Sequence, residues 1–228
     1  MGTTSPFDDK ASTYDDFCET PLGHFVDVVE HEMVAAVARP QSGELAIDLG
    51  CGTGSYTHWL YDMGLVVVGV DESPNMLEVA RRRRDNSVTC LQADLIHLPV
   101  DDDTFDLAIC NAVLEFTDDP AVVLREAFRV IKPGGRLVVG YINKYGAWGK
   151  KYAKRGQEDL TSIYSHVQFF SLEDVWAMGQ AKLFEVRYGL YTGSDNFREF
   201  YTLMQHERRP ESQNQEVGYF TVRYDKNS

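Results

Sequence analysis

The chain has 228 residues, 43% hydrophobic and 25% charged, with a formal net charge of −13 at pH 7. That is an ordinary globular composition with room for one substantial core and little for a second full domain. The acidic balance disfavours nucleic acid or an anionic membrane surface as a partner and favours small molecules.

To about Thr20 the chain is polar with scattered aromatics, Phe7, Tyr14 and Phe17. The start has no basic stretch or apolar run, so no signal peptide is expected. No segment reaches the roughly 20 apolar residues of a membrane helix, and a cytoplasmic protein follows. Pro21 to Val37 reads as an amphipathic helix, because Leu22, Phe25, Val26, Val29, Met33, Val34 and Val37 fall near helical spacing. Pro40-Gln41-Ser42-Gly43 ends it. Ala46-Ile47-Asp48-Leu49 is a short apolar run with one carboxylate, as in a buried strand. Gly50-Cys51-Gly52-Thr53-Gly54 then allows positive φ and lets a ligand lie against the backbone. Ser55 to Met63 is expected to be a helix whose free N–H groups point at that loop, completing a nucleotide-type cradle. A dinucleotide fingerprint aligned on Gly50 and Gly52 would need glycine where Ser55 stands, which weakens a nicotinamide reading. No Gly-Lys-Ser/Thr follows, which excludes a Walker phosphate loop.

Leu65 to Val70 is a continuous apolar run, the second parallel strand, and ends at Asp71. That acid stands about 20 residues beyond the glycines, the interval of a ribose-binding carboxylate. Ser73 is the expected N-cap of the next helix, with Pro74 at its first position. Arg81 to Arg84 at its end complement the helix dipole and read as a solvated cluster. Val88 to Gln92 is the third strand, followed by Ala93-Asp94-Leu95, where an acceptor carboxylate stands beside a backbone donor. Phe105 to Asn111 is the fourth strand, with Asn111 at the crevice end. Pro120 to Ile131 is helical, Lys132-Pro133-Gly134-Gly135 stops it, and Arg136 to Gly140 is the fifth strand.

Tyr141 to Phe170 is densely aromatic and leaves the carboxyl end of the fifth strand, so it is expected to form a lid or acceptor wall. Ser171-Leu172-Glu173-Asp174 is a capping box opening a helix to about Lys182. Phe184 to Leu190 and Tyr219 to Tyr224 supply the sixth and seventh strands, with a helix from Phe197 to Arg208 between them. The four cysteines, Cys18, Cys51, Cys90 and Cys110, include no Cys-X-X-Cys pair and are expected to pack rather than to bind metal or form disulfides.

Asp48-Leu49-Gly50-Cys51-Gly52-Thr53-Gly54 resembles the first motif of the class I S-adenosylmethionine-dependent methyltransferases. Asp71-Glu72-Ser73-Pro74-Asn75-Met76-Leu77 looks like their ribose-acid segment. Leu124 to Leu137 is close to their third motif, and the whole is similar to the ubiquinone/menaquinone biosynthesis group. The resemblance implies an α/β, Rossmann-like seven-stranded sheet with helices on both faces. It also implies strand order 3-2-1-4-5-7-6 with strand 7 antiparallel, an N-terminal helix and a lid insertion after strand 5. The whole chain, 1–228, would be one methyltransferase domain. Its parts would be a cap segment and helix (1–40), a cofactor core (41–143), a lid and acceptor region (144–170) and C-terminal helix and strands (171–228).

The resemblance further implies S-adenosylmethionine as cofactor, with no metal and S-adenosylhomocysteine as product. Asp48 would help place the methionine amino group, while Gly50, Cys51, Gly52 and Gly54 pack against the cofactor. Asp71, with Glu72 beside it, would hold the ribose hydroxyls. Met76 would lie against the adenine or in the core, Asp94 would take the exocyclic amine and the backbone of Leu95 the ring nitrogen, and Ala93 would also bind the cofactor. Asn111 would hold the methionine moiety. Tyr14 looks like part of a Tyr-Asp element near the start of small-molecule members, although Tyr14 and Phe17 also fit simple packing.

The expected reaction is in-line methyl transfer to a small-molecule acceptor by a monomer or homodimer. A general base is needed only for a protonated acceptor, and His166, Glu115 and His24 are the residues to test. Phe17, His24, Tyr141, Tyr145, Trp148, Tyr164 and Tyr201 are the expected acceptor pocket. A nicotinamide-dependent oxidoreductase and a non-catalytic cofactor-binding module are the alternatives.

Overall fold

The structure, a computed structural model, describes residues 5–83, 87–178, 183–191, 193, 200, 204, 207 and 217–227. A seven-stranded sheet runs in the order β3-β2-β1-β4-β5-β7-β6. Its strands are β1 (Leu45–Leu49), β2 (Val66–Asp71), β3 (Thr89–Gln92), β4 (Phe105–Asn111), β5 (Ile131–Ile142), β6 (Leu183–Gly189) and β7 (Tyr219–Asp225). β1 to β5 pair in parallel, and β7 lies antiparallel to both β5 and β6. The strand order and the reversed β7 are those expected from the sequence. The chain reverses its winding between β1 and β4, where an open α/β sheet leaves a crevice beyond its strand ends.

Alternate residues of each strand face opposite layers. Ala108, Cys110, Val139 and Phe220 join one core cluster with Val123, Leu124 and Ala127 of α5 (Pro120–Val130). Leu107, Ile109 and Val138 face the other way and meet α2 (Pro21–Ala38) and α3 (Ser55–Asp62) through Val34, Val37 and Leu60. The sheet is thus covered on both faces, which its apolar parallel strands require.

Helix ends follow the capping residues. The Thr20 hydroxyl accepts from Gly23 N at 3.0 Å, Pro21 occupies the first turn of α2, and Arg39 ends it in the left-handed region at φ 47°. Ser73 caps α4 (Pro74–Arg82) by accepting from Met76 N at 3.1 Å. At the far end of α2, Arg136 donates to the carbonyls of Ala38 and Arg39 and makes a bidentate pair with Glu44 at 2.8 Å on each oxygen. The fork geometry of arginine satisfies carbonyls that the helix leaves without partners.

Several expectations change. β5 begins at Ile131, because Lys132-Pro133-Gly134-Gly135 stays in the ladder through a register shift opposite Phe105 and Leu107 rather than only stopping α5. The aromatic stretch after β5 contains a 12-residue helix, α6 (Ala147–Glu158). The capping box at Ser171 and Asp174 forms and opens α7 (Leu172–Ala177). The remainder of that expected helix, Tyr201 and most of Phe197 to Arg208 lie outside the described residues. The N-terminal segment carries a 3-10 turn (Asp8–Lys10) and the short α1 (Asp16–Glu19).

Candidate functional site

The glycine loop leaves β1 with Gly50 N and Cys51 N both donating to Val70 O, at 2.8 and 2.9 Å. Gly50 and Gly52 have φ of 71° and 53°, a region that side chains resist. A Cβ at Gly50 would sit 2.6 Å from Val113, whereas one at Gly52 would meet nothing within 4 Å. The loop is therefore packed on one flank and open on the other.

Asp71, at the end of β2, shapes that open flank. Its Oδ2 accepts from Gly52 N at 2.8 Å and its Oδ1 from Ser73 N at 2.9 Å. Burial pushes its carboxyl up, and the two backbone donors pull it back down. Each oxygen keeps spare acceptor capacity towards the crevice.

Asp48 is 2% exposed and its Oδ2 accepts from the Thr57 hydroxyl at 2.6 Å. Burial pushes it up to about 6 against that hydrogen bond, and the Asp71 charge adds to the rise. Its first task is thus to fix the opening turn of α3. Asp94 is exposed at the rim, its Oδ1 accepting from Ile96 N at 3.0 Å, and Ala93 N donates to Asp71 O at 3.1 Å. Leu95 packs on the core edge, and Glu72 is exposed. Cys51 is buried against β2, where a Cβ at Gly69 would lie 3.0 Å from its Sγ. Met76, of α4, is 1% exposed, which is the core alternative of the two expected for it.

The N-terminal segment is tied across this region. Ser73 Oγ donates to Asp8 Oδ1 at 2.5 Å, and Asn75 donates to Asp8 O at 3.1 Å. Asp15 accepts from the Thr53 hydroxyl at 2.7 Å and pairs with Arg83. The arginines at the end of α4 are therefore not simply solvated: Arg83 holds Asp15, and Arg81 donates to Cys90 O at 2.9 Å. Phe7 meets Tyr14 and Phe116 edge-on at 6.2 and 5.1 Å, and Phe116 touches Tyr164 at 6.2 Å. Tyr164 stacks on Tyr152 of α6 at 4.4 Å. N-terminal segment and α6 region thus meet through aromatic rings. Although Tyr14 is 45% exposed, desolvation of its phenol, then Tyr164, Cys18, Glu30 and Asp71, push its pKa up.

On the Asn111 side lies an acid that the sequence reading passed over. Asn111 Nδ2 donates to Glu30 Oε2 of α2 at 3.0 Å, and the Tyr219 hydroxyl donates to Asn111 Oδ1. Gly140 makes room for this chain, since a Cβ there would lie 1.9 Å from Asn111 Oδ1 and 2.1 Å from the Tyr219 oxygen. Burial pushes Glu30 up to about 7, opposed by the Asn111 hydrogen bond. Glu30 stands four residues from both Val26 and Val34 on the apolar stripe of α2, and an acid in that register was the available signal.

Glu115, in the 3-10 turn Leu114–Phe116, is 1% exposed. Its Oε1 accepts from Ile142 N at 2.7 Å while its Oε2 is buried without a partner, and burial pushes it up to about 8.

Tyr141 is corrected from pocket to core: it is fully buried, stacked on Phe220 at 5.1 Å and edge-on to Phe170. Trp148, 3% exposed, packs in the cluster of Phe25 and Tyr219 and backs the site rather than lining it. His166 is exposed, and two residues on, Gln168 N donates to Glu115 O at 2.9 Å. His24 is exposed and stacks on Phe200 at 5.1 Å. Tyr145 and Phe17 are exposed, the former under Lys144. A groove of about 590 Å³ also runs between α2 and α3 past Asp27, His31, Ser55 and Asp62, and its lining includes neither Asp71 nor Asn111.

A doubly wound sheet with its last strand reversed, a glycine bend after β1 and an acid closing β2 define a nucleoside-cofactor-binding α/β protein. The comparisons say which. A family model described as "Methyltransferase domain" matches residues 47–139. A demethylmenaquinone methyltransferase of Clavibacter sepedonicus is 38% identical over 135 residues, covering 58% of this chain and 55% of that protein. An uncharacterized protein of Methanocaldococcus jannaschii is 28% identical over 172 residues, 75% of this chain and 77% of that one. Among solved structures, a SAM-dependent methyltransferase of Thermotoga maritima, described as a possible histamine N-methyltransferase, superposes with a TM-score of 0.78 at 25% identity. That match covers 97% of this chain and 99% of the other. Residues 47–139 thus match a methyltransferase domain, and over nearly its whole length the chain is similar in fold to a solved S-adenosylmethionine-dependent methyltransferase. It spans about half the length of the Clavibacter relative.

Among the described residues no helix is long and apolar enough to cross a membrane, and no cluster of His, Cys, Asp or Glu could hold a metal ion.

Proposed function

We propose that this chain transfers the methyl group of S-adenosylmethionine to a small-molecule acceptor. The observation that carries the reading is Asp71, which holds Gly52 N and Ser73 N while the flank of Gly52 stays open. That cradle fits a nucleoside: Asp71 would take the ribose hydroxyls, the segment at Asp94 and Leu95 the purine edge, and the backbone of Gly50 and Gly52 the remainder. When bound, the cofactor supplies a methyl group already activated by its cationic sulfur, so the chain needs chiefly to orient reactants and exclude water.

The chain's residues divide that work. Thr57 and Asp48 fix the helix behind the loop. The N-terminal segment, tied through Asp8 and Asp15, and the region 144–170 with its Tyr152 and Tyr164 cover the crevice as cap and lid. Asn111, held between Tyr219 and Glu30, sets the inner wall. The relatives' printed activities support a small acceptor.

The test is calorimetric titration with S-adenosylhomocysteine, followed by labelled-methyl transfer from S-adenosylmethionine into a metabolite extract. Micromolar binding that Asp71→Ala weakens at least a hundredfold is expected. Unchanged affinity in that variant, or tight binding of NAD instead, overturns the reading.

A further inference from the structure

We propose that the acceptor is a small amine, bound as its ammonium ion against Glu30 beside Asn111 at the inner crevice, and that Glu30 accepts its proton. The inference rests on the methyl-transfer reading and names the acceptor class for the same site.

Glu30 Oε2 takes its one hydrogen bond from Asn111, and Oε1 accepts none from a described residue. The Asn111 amide cannot turn to relieve this, because the Tyr219 hydroxyl already donates to its Oδ1 and so fixes Nδ2 towards Glu30. Gly140 keeps that arrangement open, as any side chain there would strike both partners. After burial, the Glu30 charge is among the causes that push up the phenols of Tyr14, Tyr56, Tyr152, Tyr164 and Tyr219. These come from five different parts of the chain, and of them Tyr219 reaches the carboxyl through Asn111.

Among the described residues no lysine or arginine acts on Glu30. His31 is the basic group that does, and its Nδ1 is engaged with Asp27 at 3.3 Å while Asp27 repels Glu30 in turn. Glu115, the other deep acid nearby, bears the same sign. A recessed carboxylate with a free oxygen and no fixed cation is costly until a cation arrives. A carboxylate or phenolate acceptor would instead meet like charge at short range.

The proton balance closes on this chain's own groups. The ammonium N–H gives its proton to Glu30 Oε1, leaving the lone pair on nitrogen. That pair forms the new C–N bond while the S–C pair stays on the cofactor's sulfur, and the methylated product leaves as an ammonium ion. Glu30 then returns its proton to water, ready for the next acceptor. Burial, which holds Glu30 up at about 7, suits it to both steps at neutral pH. Asn111 and Tyr219 act through Glu30 and are positioning residues.

The experiment titrates the full chain, saturated with S-adenosylhomocysteine, with n-butylamine, 2-phenylethylamine and histamine, each against an isosteric neutral alcohol. At least one amine is expected to bind ten times more tightly than its alcohol. Glu30→Gln, which keeps an acceptor for Asn111, should remove that preference while S-adenosylhomocysteine affinity stays put and Tm does not fall. Equal binding of amine and alcohol, binding of neither, or a preference that survives in Glu30→Gln overturns the proposal. So does a Glu30→Gln variant whose lost affinity is for S-adenosylmethionine alone, which makes Glu30 a cofactor ligand. The amine-against-alcohol arm needs no variant, so a misfolded mutant leaves it decisive. Failure of the unmutated chain to bind S-adenosylhomocysteine strikes the methyl-transfer reading, and binding without amine preference strikes this one only.

Discussion

Replacing Glu115 by Gln tests the electrostatics of the crevice without any ligand. The carboxyl is 1% exposed, with one oxygen on Ile142 N and the other unpartnered, and it is raised from 4.5 to about 8, chiefly by burial. A carboxyl raised in the folded state binds its proton more tightly there than in the unfolded chain. The unfolded state therefore gains by ionising as pH climbs from about 4.5 to about 8, and stability falls across that window. Below it Glu115 is protonated in both states and contributes no penalty. At roughly 1.4 kcal/mol per unit the full effect is about 3 to 5 kcal/mol, or on the order of 10 °C in Tm for a chain this long.

Gln keeps the acceptor for Ile142 N and puts a neutral amide where the protonated carboxyl stood. Wild type and Glu115→Gln should therefore melt close together at pH 5 and diverge by pH 8, with the variant the more stable. Differential scanning calorimetry at half-unit steps reads the gap directly. Glu30 and Asp48, raised to about 7 and about 6, titrate in both proteins and cancel in the difference, apart from the coupling of Glu30 to Glu115. Parallel Tm curves would refute the reasoning, because they would mean that Glu115 ionises normally where it sits.

Three further substitutions probe the site. Gly52→Ala places a methyl in the open flank at φ 53°, so a Tm loss of a few degrees, about 1 kcal/mol, should accompany a fall of more than tenfold in S-adenosylhomocysteine affinity by calorimetry. Gly140→Ala drives a methyl into Asn111 Oδ1 and the Tyr219 oxygen and should cost about 1 to 3 kcal/mol in urea unfolding; no loss would mean that those side chains do not meet as described. Ser73→Ala removes both the cap of α4 and the tie to Asp8. About 1 kcal/mol should go, and limited proteolysis should cut the N-terminal segment faster, whereas unchanged cutting would mean that Asp8 is held elsewhere.

The parallel half of the sheet was legible because buried strands leave unbroken apolar runs: Phe105 to Asn111 was bounded to the residue. Lys132-Pro133-Gly134-Gly135 misled because such residues ordinarily punctuate, and nothing local reveals that a register shift keeps them in the ladder. α6 escaped because Gly149 and Gly156 depress its helix propensity, although Trp148 and Tyr152 stand four apart and touch at 6.0 Å. At the site, motif spacing found Asp71 and the glycines, whose roles are set by neighbours close in the chain. It missed Glu30, which meets Asn111 only through tertiary folding across 81 positions of sequence. Tyr141 was misplaced for the converse reason: composition marks a large aromatic side chain without saying which side of the sheet receives it.

The clamp of Arg136 on the last carbonyls of α2 bears on how the crevice could adapt. It rivets one end of an 18-residue rod to a strand inside the sheet, and the opposite half is anchored as well, with Phe25 and Val29 in the cluster of Trp148 and Tyr219 and His24 stacked on Phe200. Held along both halves, the rod keeps Glu30, near its middle, at a fixed depth beside Asn111. A larger guest has to be accommodated by side chains around that carboxyl rather than by a tilt of the helix.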